Sequence, residues 1–176
     1  MSDERHKPDG RTDFDFLIGN WTVHNRRLKD RLKGCTDWEV FKSTCRCRHI
    51  LGGLGNLDEF TMERASGRVE AVTVRLYNPT ADEWSIYWAV SSGNGRLDVP
   101  MVGRFNGRRG EFFSQEVFEG GHIFNRFIWR VNGADSCSWE QGFSADGGAT
   151  WETNWVMEFT RQDPLNHKLP SQRGSL

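Results

Sequence analysis

Three side chains able to hold a soft metal stand two residues apart: Cys45, Cys47 and His49. On a strand this spacing presents two thiols and an imidazole on one face, and all are zinc-compatible ligand types. No Cys-x-x-Cys and no second ligand pair accompanies them. A flat strand cannot wrap a tetrahedral ion alone, so no metal is expected. Haem would need a histidine in a distinctive setting, and none of the five has one. His6 and His167 stand in polar ends, His122 in a turn, and His24 and His49 on strands, so no cofactor is expected. The run GGLGN, from Gly52 to Asn56, has the glycines of a phosphate loop. Such loops open a helix whose amides hold the anion, whereas strands flank this one, which predicts a flexible hairpin at a barrel mouth. Glu116 is the candidate for acid/base chemistry. A carboxyl removed from water rises in pKa, and Arg27 or Arg75 could hold an oxyanion opposite it. The plainer alternative is that these charges pair with one another or face solvent.

Such groups can act together only if the surrounding elements aim them inward. The 176 residues make one domain large enough to bury a core. One short helical turn is predicted over Asp13–Ile18, where Phe14, Leu17 and Ile18 recur at helical spacing, with Thr12 or Asp13 as cap and Gly19 as stop. After it the chain becomes about ten short alternating segments divided by turn residues. The alternation is clearest in Trp84, Ile86, Trp88 and Val90, and in Trp151, Thr153, Trp155, Met157 and Phe159, each set falling on one face. The pattern predicts an all-β antiparallel meander closed as a barrel or sandwich. The domain is expected over residues 13–161, with a flexible tail over 1–12 and a polar tail over 162–176.

Composition narrows the function. Only 36% of the residues are hydrophobic, but 8 Trp and 12 Phe supply large apolar rings. A net charge of -1 lacks the basic excess of a general polyanion binder, so nucleic acid is not expected. No run reaches membrane-spanning length, and the charged start MSDERHKPDGRT lacks the apolar core of a secretion signal. The expected setting is a cytosol of bacterial type, with the four cysteines reduced. A homodimer through an edge strand or an exposed ring stays open.

Two resemblances follow from longer motifs. SADGGATW, Ser144 to Trp151, resembles the Asp-box of sialidase propellers. A propeller needs several four-stranded blades, and this chain carries the box once. The local reading is a turn: Asp146 accepts bonds from turn amides, Gly147 and Gly148 supply positive φ, and Trp151 covers the hairpin root. The second resemblance begins with DFDFLIGNWTV, whose Gly19-x-Trp21 opens the first strand. It resembles the Gly-x-Trp signature of the calycins, the lipocalin-like and fatty-acid-binding-like barrels. Residues 13–161 further resemble an uncharacterised bacterial lipocalin-like family, through ILGGLGNLDEF, RLYNP, WSIYWA, VGRF and WEQGFSADGGATWETNWVMEFTR. That family carries no settled activity to this chain. It often shows His-His where this chain has His24-Asn25, and an acidic pair where this chain has Gln115-Glu116. The resemblance implies a barrel closed at one end by Trp21 packed against Arg161, worth about 1–2 kcal/mol when desolvated.

With the Trp21–Arg161 face taken as inward, alternation points Val23, Asn25 and Arg27 inward from the first strand, and Trp155, Met157 and Phe159 from the last. A bulge would exchange Asn25 for His24. The rings of Trp88, Trp129 and Trp139 bring Asn125 and Gln141 with them, and Arg75 and Glu116 join from strands of ambiguous phase. An aromatic cavity with a few charged or amide groups is the usual make-up of a small-molecule site. The expectation is a barrel that binds a small amphipathic or aromatic molecule. Its alternative is a cofactor-independent acid/base enzyme of isomerase, cyclase or hydratase type in the same cavity. A third reading is a solidly filled structural barrel, since fold alone does not decide.

Overall fold

Alternation of apolar and polar side chains carries ten strands, which pair in sequence order and close. The structure, a computed structural model, describes residues 9–162. The strands are β1 (Gly19–Leu28), β2 (Trp38–Ile50), β3 (Gly55–Arg64), β4 (Gly67–Asn78), β5 (Glu83–Val90), β6 (Met101–Asn106), β7 (Arg109–Phe118), β8 (Gly121–Val131), β9 (Ser136–Ser144) and β10 (Glu152–Arg161). All neighbours are antiparallel, and β1 pairs with β10 from Trp21↔Arg161 to Arg27↔Trp155, which closes the sheet on itself. Closure leaves no whole edge strand among the described residues. The joint between β5 and β6 is the shortest, with three opposed pairs from Trp84↔Gly103 to Ile86↔Met101.

One end of the barrel is plugged. The helical turn expected over Asp13–Ile18 forms as two 3-10 turns, Gly10–Thr12 and Asp15–Leu17. The turn within the expected span, Asp15–Leu17, follows Phe14 and has no side-chain cap, so neither Thr12 nor Asp13 caps it; Asp9 caps the preceding turn, its carboxylate accepting the Arg11 N–H at 3.3 Å. The segment is too short for a stable α-helix and instead lies across the barrel end. Phe14 and Leu17 are fully buried there, with the Phe14 ring edge-on to Trp84 at 5.1 Å and to Phe105 at 4.9 Å. Gly10 is bonded to the barrel: its N–H donates to Tyr77 Oη and Asp82 Oδ1, and Trp84 Nε1 donates to its carbonyl. The remaining tail residues, 1–8 and 163–176, lie outside the described residues, and His6 and His167 with them.

The Trp21–Arg161 latch completes the plug. The Arg161 guanidinium lies 4.2 Å from the Trp21 ring centroid and donates to the carbonyls of Ile18, Phe16 and Ala134. Trp21 Nε1 donates to the Leu17 carbonyl at 2.7 Å. Gly19 is required at this spot, because it holds φ +127° and a Cβ would come within 2.7 Å of Arg161 Nη1.

Two local expectations are corrected. GGLGN sits at this plugged end, because β2 runs from the mouth toward it: Cys47 stands opposite Gly19, and the Leu54 carbonyl accepts from Tyr77 N–H. Trp151 does not share the Trp155 face. A bulge between Thr153 and Trp155 admits Asn154 as an extra residue and reverses the phase, so Trp151 lies outside against Phe113 and Arg126. The Asp-box turn itself forms as read from the sequence. Asp146 accepts from the Thr150 N–H, the Thr150 hydroxyl and the Ser144 hydroxyl, and Gly147 and Gly148 hold φ of 72° and 92°.

Candidate functional site

Inward side chains stop filling the barrel above the plug. They leave a cavity of about 310 Å³ whose mouth is lined by Arg31 of the β1–β2 connection, Asp98 and Val99 of the β5–β6 connection, and Phe118 and Phe143 at the ends of β7 and β9.

Its floor is charged but compensated. Arg75, on the inward face of β4, is buried and lies between the rings of Phe14 and Trp129, at 5.1 and 5.4 Å. Its Nη1 donates to Asn56 Oδ1 at 2.9 Å and to Asp58 Oδ2 at 2.5 Å. Burial pulls the guanidinium pKa down, but the charge and hydrogen bond of Asp58 more than offset this and leave it raised. Beside this pair lie Cys45 and Cys47, inward on β2, and Cys137 on β9, all buried. Burial drives the Cys45 thiol well above its usual range and pushes Cys47 and Cys137 up to about 12. His49 turns outward beside Asp15 at 3.7 Å. The Cys45/Cys47/His49 face thus does not assemble, and no metal-holding group of three acidic, thiol or imidazole side chains occurs among the described residues.

The walls are aromatic. Trp155 meets Trp88 at 6.2 Å and Trp139 at 5.6 Å, both nearly perpendicular. Phe60 leans on Trp88 and Phe127 on Trp139. Asn25 is buried behind this cluster rather than on the cavity surface. It donates to Ser43 Oγ at 2.8 Å and accepts from Trp155 Nε1 at 3.1 Å, which fixes the indole. Trp129, Asn125 and Gln141 line the cavity from β8 and β9. Trp129 Nε1 and Asn125 Oδ1 are buried polar atoms without a hydrogen-bond partner among the described residues.

Charge collects at the mouth. Arg27, at the end of β1, lies 5.0 Å from the Trp155 ring centroid. Arg31, in the β1–β2 connection, lies over Phe118 at 4.7 Å and Phe143 at 5.1 Å. Across from them Glu116 Oε1 accepts from Asn125 Nδ2 at 2.6 Å and from the Ser114 hydroxyl at 3.3 Å. Asp98 and Val99, both exposed, complete the rim from the β5–β6 connection.

The cavity thus gathers Arg27, Arg75, Trp88, Glu116, Asn125, Trp129, Gln141 and Trp155 among the residues singled out from the sequence. His24 is outside it. With no bulge in β1, it keeps the outward phase, exposed and 3.7 Å from Glu158. Sequence reasoning missed Arg31 and Asp98, which sit in connections where alternation gives no direction. It also missed Asp58, which alternation could have found, being two residues before the inward Phe60.

No family model matches the chain, and no curated protein matches it. Among solved structures it resembles Rv2717c from M. tuberculosis, with 14% identity, a TM-score of 0.61, and coverage of 89% of this chain and 99% of that one. Two designed proteins also align: a de novo fluorescence-activating β-barrel, at 15% identity over 84% of this chain and 95% of its own, and EF1p2_mFAP2b bound to DFHBI, at 10% identity over 87% and 99%, each with a TM-score of 0.47. The likeness to the mycobacterial protein is one of fold alone.

Proposed function

We propose that the protein binds a small amphipathic or aromatic molecule inside the barrel. The observation that carries this reading is the open cavity of about 310 Å³, walled by Trp88, Trp139 and Trp155 instead of being filled by them. That volume falls within the range of small-molecule pockets, and rings with few polar groups are their usual lining. Arg27, Arg75, Glu116, Asn125 and Gln141 would orient the molecule, and Asn25 would hold Trp155 in place. The four unpaired cysteines support a reducing, cytosolic setting. The Gly-x-Trp and Asp-box blocks support a place in the bacterial lipocalin-like family.

The test uses N-phenyl-1-naphthylamine, a neutral apolar fluorophore. Its emission should rise saturably at one molecule per chain, with tryptophan emission quenched in parallel. Absence of saturable binding would leave a structural barrel as the better description.

A second reading rests on Glu116, whose carboxylate Asn125 and Ser114 pin against the cavity wall. So placed, it can take or give a proton to a bound molecule. Glu116→Gln separates the two readings: a binder changes only in affinity, whereas an enzyme loses turnover while still binding its substrate.

A further inference from the structure

Local charge balance fails at one place in the cavity. Arg27 has Glu39 opposite it on β2 and Trp155 opposite it on β10. Glu39 is already committed: it accepts from Nε and Nη2 of Arg64 and from the Ala65 N–H at 3.3 Å. Among the described residues Arg27 makes no ion pair, and its Nε is buried without a partner. Burial, with Arg31 and Arg64 nearby, lowers its pKa to about 10, against a weaker pull from Glu39. Arg31 is in a similar position. The carboxylates around it are Glu116, Glu119 and Glu152. Glu116 is bonded to Asn125, Glu119 pairs with Lys33 at 2.9 Å, and Glu152 accepts the Leu32 N–H at 2.8 Å. The acids that line the cavity, Glu116 and Asp98, come from β7 and the β5–β6 connection. The β1 side is therefore cationic and desolvated, directly above the indoles. A guanidinium without its own carboxylate, held over an aromatic face, suits a planar anion through bidentate hydrogen bonds.

We propose that the ligand of this cavity carries a carboxylate that docks on Arg27 with Arg31 beside it while its apolar body lies against Trp155, Trp139 and Trp88. This rests on the cavity being a binding site, and it adds the charge of what binds. A neutral molecule of the same shape leaves the half-buried Arg27 without an ion pair and its buried Nε without a partner, whereas an anion relieves the repulsion among Arg27, Arg31 and Arg64.

Calorimetric titration with 2-naphthoate and 2-naphthamide, which differ in charge but hardly in shape, tests this. The expected result is naphthoate binding at least about tenfold tighter, the scale of one hydrogen bond to a charged group. Arg27→Met should bring the ratio of the two affinities to about one. Arg27→Lys should keep part of it, and Arg46→Met, the same charge loss on the outer face, should keep all of it. Equal affinities in the unmodified protein would overturn the anion assignment and leave the cavity reading standing. Failure of both compounds to bind would overturn the cavity reading beneath it.

Discussion

At the residue scale, the most exacting group is Arg75. A buried ion pair contributes little net stability, but losing one partner strands the other without solvent. Asp58→Asn should therefore destabilise the protein by about 3–5 kcal/mol in urea unfolding. The double change Arg75→Met with Asp58→Leu should recover most of that loss, because an apolar pair of similar bulk leaves no charge behind. The cysteines give a second prediction. Cys45, Cys47 and Cys137 are buried, with thiol pKa values pushed up, and so hold little thiolate near neutrality. Cys35 is partly exposed in the β1–β2 connection. Ellman's reagent should find one fast thiol in the folded protein, at Cys35, and all four only in denaturant. Fast reaction of a second thiol would show that the cavity floor opens.

At the element scale, the Asp-box hairpin makes a prediction about acid. Hydrogen bonds from the Thr150 hydroxyl and N–H and from Ser144 hold Asp146 down at about 2. A depressed folded pKa contributes stability that is fully present above the unfolded value of about 3.9 and is lost as pH falls through about 2. Thermal melts should show a drop across this window that Asp146→Asn removes, since the variant lacks the titrating group. An identical drop in the variant would place the acid sensitivity elsewhere. The same hairpin shows what the sequence could and could not convey. Turn chemistry and period-two alternation are local, so about ten strands were legible; the Gly19–Trp21–Arg161 latch followed from the calycin resemblance, and taking its face as inward gave the phase of Arg27, Trp155 and Phe159. The single extra residue at Asn154 was not, because a bulge changes no residue type yet reverses the phase before it, which turned Trp151 outward. Arg31 and Asp98 escaped for a related reason: a connection has no alternation to read, and only the closed barrel decides that it folds over the mouth.

For the whole molecule, closure distributes pairing unevenly. The β5–β6 joint has three opposed pairs, and the connection after Val90 is held back to the barrel by the Asp98 N–H on the Trp88 carbonyl. Amides across residues 87–101 should exchange with deuterium faster than those of the β1–β10 joint, and saturation with N-phenyl-1-naphthylamine should slow them. Uniform exchange around the barrel would argue against this joint as the yielding part. The opposite end behaves otherwise, because Phe14, Leu17, Trp21 and Arg161 stop it up with buried rings and satisfied carbonyls. Among the described residues the barrel is thus a vessel with one neck, so on the binding reading proposed above arrival and departure share a single door. A newcomer cannot push an occupant out from behind. Release of a bound molecule into excess competitor should therefore proceed at one rate, however much competitor is added.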